Sequence, residues 1–299
     1  VLLMAYGTPE REEDILPYYT HIRHGRPPSA EQLQNLTERY RTVGGRTPLR
    51  DLTDDVARAV EAELAARGAP RPVYVGMKHW HPYIADTVRR MANDGVRDVT
   101  ALVLAPHYSR MSIGQYRGYF DKANAELAQP MTVRFIESWH AQPEFEAMMA
   151  GLVSRALEQF PAERRDAVLV VFTAHSLPVK IREWGDPYER ELLDSSRAVA
   201  ERLGRRDWRF AWQSAGQTGE PWIGPDIQDY LETLHAEGVQ DVLQVPIGFV
   251  AEHLEVLYDI DIEAKQKAAS LGMRLERTEL PNARPEFIAA VVGALTAEG

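Results

Sequence analysis

The chain has 299 residues, 44% hydrophobic and 26% charged, with 20 Gly, 19 Pro, no Cys and a formal net charge of -10. That length supports one large or two ordinary domains around a real core, and the residue mix excludes disorder, collagen and coiled coil. Without cysteine there are no disulfides, thiolate zinc sites or cysteine-held iron–sulfur clusters, and the acidic balance argues against general nucleic-acid binding.

In chain order, short apolar runs predict strands at residues 1–5, 73–77, 99–104, 132–136, 167–172, 209–213, 242–247 and 274–277. Amphipathic stretches between them predict helices, among them 83–92, 226–235 and 252–269. Strand–helix alternation with continuous apolar strands indicates parallel sheets covered on both faces. Gly95, Gly238 and Gly272 each stand just before a strand, where a helix should end. No run approaches the ~20 apolar residues of a membrane-spanning helix. No basic-then-apolar leader stands at the start either, so the expected location is the cytoplasm.

Two echoes suggest an internal duplication. The first strand leads into Ala5-Tyr6-Gly7-Thr8-Pro9 and the fifth into Ala174-His175-Ser176-Leu177-Pro178. Gly95-Val96-Arg97-Asp98-Val99 enters the third strand and Gly238-Val239-Gln240-Asp241-Val242 the seventh. The expected architecture is therefore α/β, with two similar doubly wound, Rossmann-like lobes. Each has a four-stranded parallel sheet, and they divide as residues 1–158 and 159–299.

In such sheets ligands bind beyond the carboxyl ends of the strands, which singles out Tyr6, His107, His175 and the segment 248–255. No nucleotide loop of the G-x-G-x-x-G or G-x-x-x-x-G-K-[ST] type competes for the site, and no nucleophile elbow surrounds Ser214. His175 emerges where a strand meets a loop, and imidazole suits proton transfer near neutral pH or binding of a divalent metal. Glu255, Asp259 and Glu263 follow at i, i+4 and i+8, so a helix sets them in one row. Like charges at this spacing weaken a helix, and carboxylates lining a cleft can guide a hydrated cation or relay protons.

The segment 20–50 has the opposite character. Arg23, Arg26, Arg39, Arg41, Arg46 and Arg50 stand against Glu31 and Glu38, a balance of +6 - 2 = +4. Guanidinium groups are natural partners of carboxylates. Tyr6, Tyr40, Tyr108, Tyr116, Trp139, Trp184, Trp212 and Trp222 could wall a flat aromatic ligand as well as pack a core.

These motifs resemble the ferrochelatases, most closely the soluble, coproporphyrin-using bacterial branch, from about residue 1 to 288. The blocks are Met4-Ala5-Tyr6-Gly7-Thr8-Pro9, Gly44-Gly45-Arg46-Thr47-Pro48-Leu49, Leu104-Ala105-Pro106-His107-Tyr108-Ser109 and Thr173-Ala174-His175-Ser176-Leu177-Pro178. Gly185-Asp186-Pro187-Tyr188, Trp212-Gln213-Ser214, Trp222-Ile223-Gly224-Pro225-Asp226 and Gly248-Phe249-Val250-Ala251-Glu252-His253-Leu254-Glu255 follow in order.

The resemblance implies a porphyrin cleft between the lobes and insertion of Fe2+, a substrate and not a cofactor, with release of two pyrrole protons. It implies His175 as metal ligand or proton acceptor, Glu255 as its acidic partner, and Asp259 and Glu263 as the row leading away. Tyr6 would face the porphyrin from the other side. Arg23, Arg39, Tyr40, Thr47 and Tyr116 would contact the macrocycle and its carboxylates. His24 stands where close relatives often carry a second arginine. Neutral imidazole, with an ordinary pKa of ~6.5, is the expected acceptor of a pyrrole proton.

The stretch 27–39 is polar where membrane-associated ferrochelatases have an apolar lip, and coproporphyrin carries four propionates. The expected activity is therefore formation of iron coproporphyrin III by a monomer with no prosthetic group. A protoporphyrin IX ferrochelatase, a cobalt or nickel tetrapyrrole chelatase, and a non-catalytic porphyrin carrier are the alternatives.

Overall fold

The structure is a computed structural model that describes residues 1–216 and 219–297. Strands β1 (Leu2–Ala5), β2 (Tyr74–Met77), β3 (Asp98–Val103) and β4 (Thr132–Ile136) form one sheet in the order β2-β1-β3-β4. Strands β5 (Leu169–His175), β6 (Trp208–Gln213), β7 (Asp241–Val245) and β8 (Arg274–Arg277) form a second in the order β6-β5-β7-β8. All neighbours are parallel, and the two orders are the same once the second is renumbered. Helices cover both faces: α1 (Ile15–Ile22), α2 (Ala30–Thr42), α3 (Leu49–Ala66), α4 (Ile84–Asn93), α5 (Ile113–Ala125) and α6 (Pro143–Leu157) in the first half. In the second lie α7 (Tyr188–Arg202), α8 (Ile227–Ala236), α9 (Leu254–Leu257), α10 (Lys265–Ser270) and α11 (Pro285–Thr296).

Local chemistry sets these boundaries. Ser29 and Gln32 close a capping box at the start of α2, and the Asp226 carboxylate accepts from the Gln228 N–H at the start of α8. Gly95, Gly238 and Gly272 do end helices, at φ of 82°, 87° and 71°. In each case the next residue donates to the carbonyl five positions back, as Val96 does to Met91 at 3.0 Å. The loops after β2 and β6 repeat a contact that no sequence echo announced: Met77 N–H donates to Pro82 at 2.7 Å and Trp212 N–H to Pro225 at 2.9 Å.

Two boundaries differ from expectation. The apolar run of β5 stops at Phe172, but the strand continues to His175, paired with Gln213 of β6. Polar residues stay in the sheet there because they satisfy one another. The Thr173 hydroxyl donates to Gln213 Oε1 at 2.9 Å and accepts from Gln244 Nε2 at 3.1 Å. The helix expected over 252–269 is also interrupted: between α9 and α10 lies a π turn, Asp259–Ala264. Such turns concentrate at functional sites.

The two sheets share one large core, while each also keeps a smaller cluster of its own. Leu3, Val56 and Phe145 of the first half and Phe172, Leu243 and Phe287 of the second belong to one buried cluster. Helix α11 packs against α3 and α6, and the Arg134 guanidinium caps its last carbonyls at Leu295 and Ala297. Among the described residues no helix is long and apolar enough to cross a membrane.

Candidate active site

The carboxyl ends of both sheets open into one cleft of about 1280 Å³, larger than the ~300–1,000 Å³ of most small-molecule sites. His175 ends β5 on its floor. Its Nδ1–H donates to the Ser176 carbonyl, and the Tyr188 hydroxyl donates to the carbonyl of His175 itself at 3.1 Å. Those bonds fix the ring so that Nε2 faces Glu255 Oε1 at 3.5 Å. The other Glu255 oxygen lies 3.6 Å from His253 Nε2, and His253 Nδ1 donates to Ala251 at 2.9 Å. One carboxylate thus sits between two oriented imidazoles.

Burial opposes charge on both members of this pair, but their mutual attraction outweighs it. His175 is pushed up to about 9, against its burial, by the charge and hydrogen bond of Glu255. Glu255 is held well below the usual carboxylate range by His175 and His253, again against burial. This revises the neutral imidazole expected above. Facing Glu255, the ring holds its proton, and it becomes a base or a metal ligand once that proton has moved on.

Glu255, Asp259 and Glu263 all line the cleft. An unbroken α-helix would carry each successive carboxylate ~40° around the axis; the π turn interrupts that drift. Its anchor is Arg277 of β8, nearly buried, which bonds Glu252 at 3.0 Å and Asp261 at 2.7 Å. One guanidinium therefore holds the loop before Glu255 and the turn that carries Asp259. Gln213 Nε2 adds a bond to the Glu255 carbonyl at 3.2 Å. Gly248 lets this wall approach β5, since a Cβ there would lie 2.6 Å from that of Ala174, beside His175.

Tyr6 lies at the end of β1, 39% exposed, toward the same cleft. Behind it stand Lys78 and His79, both buried. Lys78 Nζ lies 5.5 Å from the Tyr6 ring centroid and 5.0 Å from that of Tyr116. Burial pushes its ammonium down to about 8. Burial, Lys78 and two further histidines push His79 down to about 2, so its imidazole is neutral.

The structure sorts the expected substrate contacts. Arg23, Arg39, Tyr40 and Tyr116 line the cleft. Thr47 lies one step behind, bonded at 2.9 Å to Thr8, whose hydroxyl also meets Tyr40 at 3.2 Å. Four of the six arginines of the cationic segment are already paired, Arg39 with Asp259 across the cleft and Arg41, Arg46 and Arg50 with the nearby Glu12, Asp51 and Asp54. His107 is a packed histidine bonded to Ser195 at 2.9 Å. Sequence reasoning gave no role to Lys78, His79 or Ser214, and reached His253 only as part of the segment 248–255. The strand-end rule, applied to β2 and β6 as it was to β1 and β5, would have found Lys78, His79 and Ser214.

The ferrochelatase family model matches residues 1–298 of this chain. The chain belongs to the ferrochelatase family. The ferrochelatase of Herpetosiphon aurantiacus is 52% identical over 289 residues, covering 96% of this chain and 95% of that protein. The coproporphyrin III ferrochelatase of Geobacillus kaustophilus is 43% identical over 298 residues, covering 99% and 94%. Among solved structures, SirB from Bacillus subtilis with Fe3+ superposes with a TM-score of 0.58 at 11% identity, covering 80% of this chain and 86% of that one. At that identity the likeness concerns the fold, two lobes with four-stranded parallel sheets flanked by helices. In a ferrochelatase the metal is a substrate that passes through; among the described residues no group of three His, Asp or Glu side chains is placed to hold a metal ion.

Proposed function

We propose that this chain inserts Fe2+ into coproporphyrin III, giving iron coproporphyrin III and two protons, as a cytoplasmic monomer with lobes 1–158 and 159–299. The observation that carries the reading is a cleft with opposed equipment. His175 Nε2 and Glu255 stand at its floor, while the buried Nε of Arg23 and of Arg39 have no hydrogen-bond partner. Unpaired guanidinium donors in a cleft are suited to ligand carboxylates. The lip agrees: Ser29, Glu31, Gln32, Asn35 and Arg39 line the entrance side, a polar surface suited to a tetracarboxylate drawn from water. The relatives that use coproporphyrin III match at about the same length.

In this reading Arg23 and Arg39 bind substrate carboxylates, Tyr40 and Tyr116 wall the ring with Thr47 behind them, and Tyr6 covers one face. His175 and Glu255 meet the other. Each pyrrole N–H bond that breaks leaves its electron pair to the Fe–N bond and its proton to the protein. Glu255, Asp259 and Glu263 are oxygen acceptors in line to carry protons out and to exchange water ligands of the entering iron.

Anaerobic steady-state assays with Fe2+ test this. Coproporphyrin III should turn over faster than protoporphyrin IX. The reverse preference would sink the substrate assignment, and a bound-porphyrin spectrum without metallated product would make the protein a carrier.

A further inference from the structure

Arg39 and Asp259 come from opposite halves of the chain, 220 positions apart, and meet across the cleft. What sets this pair apart from the single-contact pairs at the surface, such as Arg46 with Asp51 or Arg284 with Glu279, is a buried donor left without a partner. The side edge of a guanidinium presents two parallel donors, Nε and Nη2, which match the two oxygens of a carboxylate. Arg41 gives both to Glu12, and Arg182 gives both to Glu189, at 2.7 and 2.8 Å. Arg39 gives Asp259 only Nη2, while its Nε is buried and unpartnered.

The pair is not completed here, and the second Asp259 oxygen is engaged elsewhere. It accepts from the Ser214 hydroxyl, and Ser214 is held in the left-handed region at φ 59°. The guanidinium is fixed from its other side by the Tyr258 ring, 4.5 Å from centroid to Cζ. Half of a carboxylate-binding fork is thus left unpaired though covered, on a residue that lines the cleft, beside a carboxylate that holds the other half.

We propose that a substrate carboxylate takes the whole Arg39 fork and displaces Asp259 from it, so that arrival of the porphyrin frees Asp259 to accept a proton. This rests on Arg39 being an anchor for a substrate carboxylate. The exchange is favourable because one bidentate pair replaces one monodentate pair. Its consequence follows from the groups around Asp259. Arg39 is the paired cation there and protonated His175 a second one; Glu255 and Glu263 are like charges, and Ser214 donates one bond. Burial already pushes Asp259 up to about 6, helped by Glu255, while Arg39 pulls it down. Removing Arg39 raises the proton affinity further. The proton affinity of Asp259 thereby follows occupancy of the cleft, and a macrocycle without a carboxylate at this corner leaves it paired.

Equilibrium binding of coproporphyrin III near pH 7, followed by fluorescence quenching, tests the competition. Asp259→Asn should bind ~10-fold tighter, with no gain for the tetramethyl ester of the same porphyrin. Arg39→Gln should weaken binding ~10-fold, and adding Asp259→Asn to it should change nothing more. Calorimetry in buffers of different ionisation enthalpy should show the unmodified protein taking up part of a proton on binding. That uptake should vanish in Asp259→Asn.

Unchanged or weaker binding by Asp259→Asn, or no proton uptake by the unmodified protein, overturns the displacement. A weakening by Arg39→Gln would even then keep Arg39 as an anchor. Unchanged binding by Arg39→Gln removes the anchor and the displacement with it.

Discussion

Tyr6 directly follows β1 and His175 closes β5, and because the two sheets repeat one strand order these side chains hold corresponding places in the two lobes. Their surroundings have diverged completely. Around Tyr6 stand a buried ammonium and a neutral imidazole, Lys78 and His79. Around His175 stand Glu255, Asp259 and a second imidazole, His253. A positive wall repels a metal cation and offers little to a departing proton, whereas an anionic wall attracts the one and accepts the other. The comparison teaches that the two halves share the frame and the strand-end position while the charge around that position is opposite.

The largest effect should come from the anionic side. His175→Ala should lower kcat ~10³-fold, within the range of a lost proton-transfer or ligand group, with porphyrin affinity nearly unchanged. An equal loss from His79→Ala would break the contrast between the walls. Glu255→Gln should lower insertion ~10²-fold. It should also lower the His175 pKa from about 9, because only the Ser176 carbonyl and Asp259 then oppose burial. An NMR titration of the ring reads this directly, and an unshifted His175 would disprove the pairing.

Packing around the anionic wall should tolerate less than its polarity suggests. Gly248→Ala puts a Cβ 2.6 Å from Ala174 Cβ and should cost ~1–3 kcal/mol in denaturant unfolding. It should also slow insertion through the displaced His175. The smallest effect is a linkage. A group raised in the folded state stabilises below its unfolded pKa and loses that contribution as pH rises through the folded value. The stability advantage of the unmodified protein over Glu255→Gln should therefore be full near pH 6.5 and fade through about 9. Thermal midpoints across that range would check it.

Much of this was legible because strands and caps are local. Apolar runs placed all eight named strands within a few residues, and Gly95, Gly238 and Gly272 marked three helix ends. The echo of Ala5-Tyr6 with Ala174-His175 gave the duplication. The extension of β5 was hidden because Thr173 looks like a strand exit until Gln213 and Gln244 are beside it. The π turn was hidden for a similar reason: Asp259 and Asp261 are anchored by Arg39 and Arg277, both distant in sequence. Counting charge overstated the cationic segment, since Arg41, Arg46 and Arg50 spend theirs on nearby carboxylates.

The core shared between the halves has a mechanical consequence. Relative motion of two lobes is the default where their interface is small and polar. Here Leu3, Phe145, Phe172 and Phe287 lie in one buried cluster, and α11 is bolted across onto α3 and α6. Spreading the walls would expose that cluster to water. The frame is therefore stiff in the direction a flat guest would push it, and a misfit between guest and cleft is taken up by the softer body. How well a guest fits is thus governed by the packing of residues that never touch it.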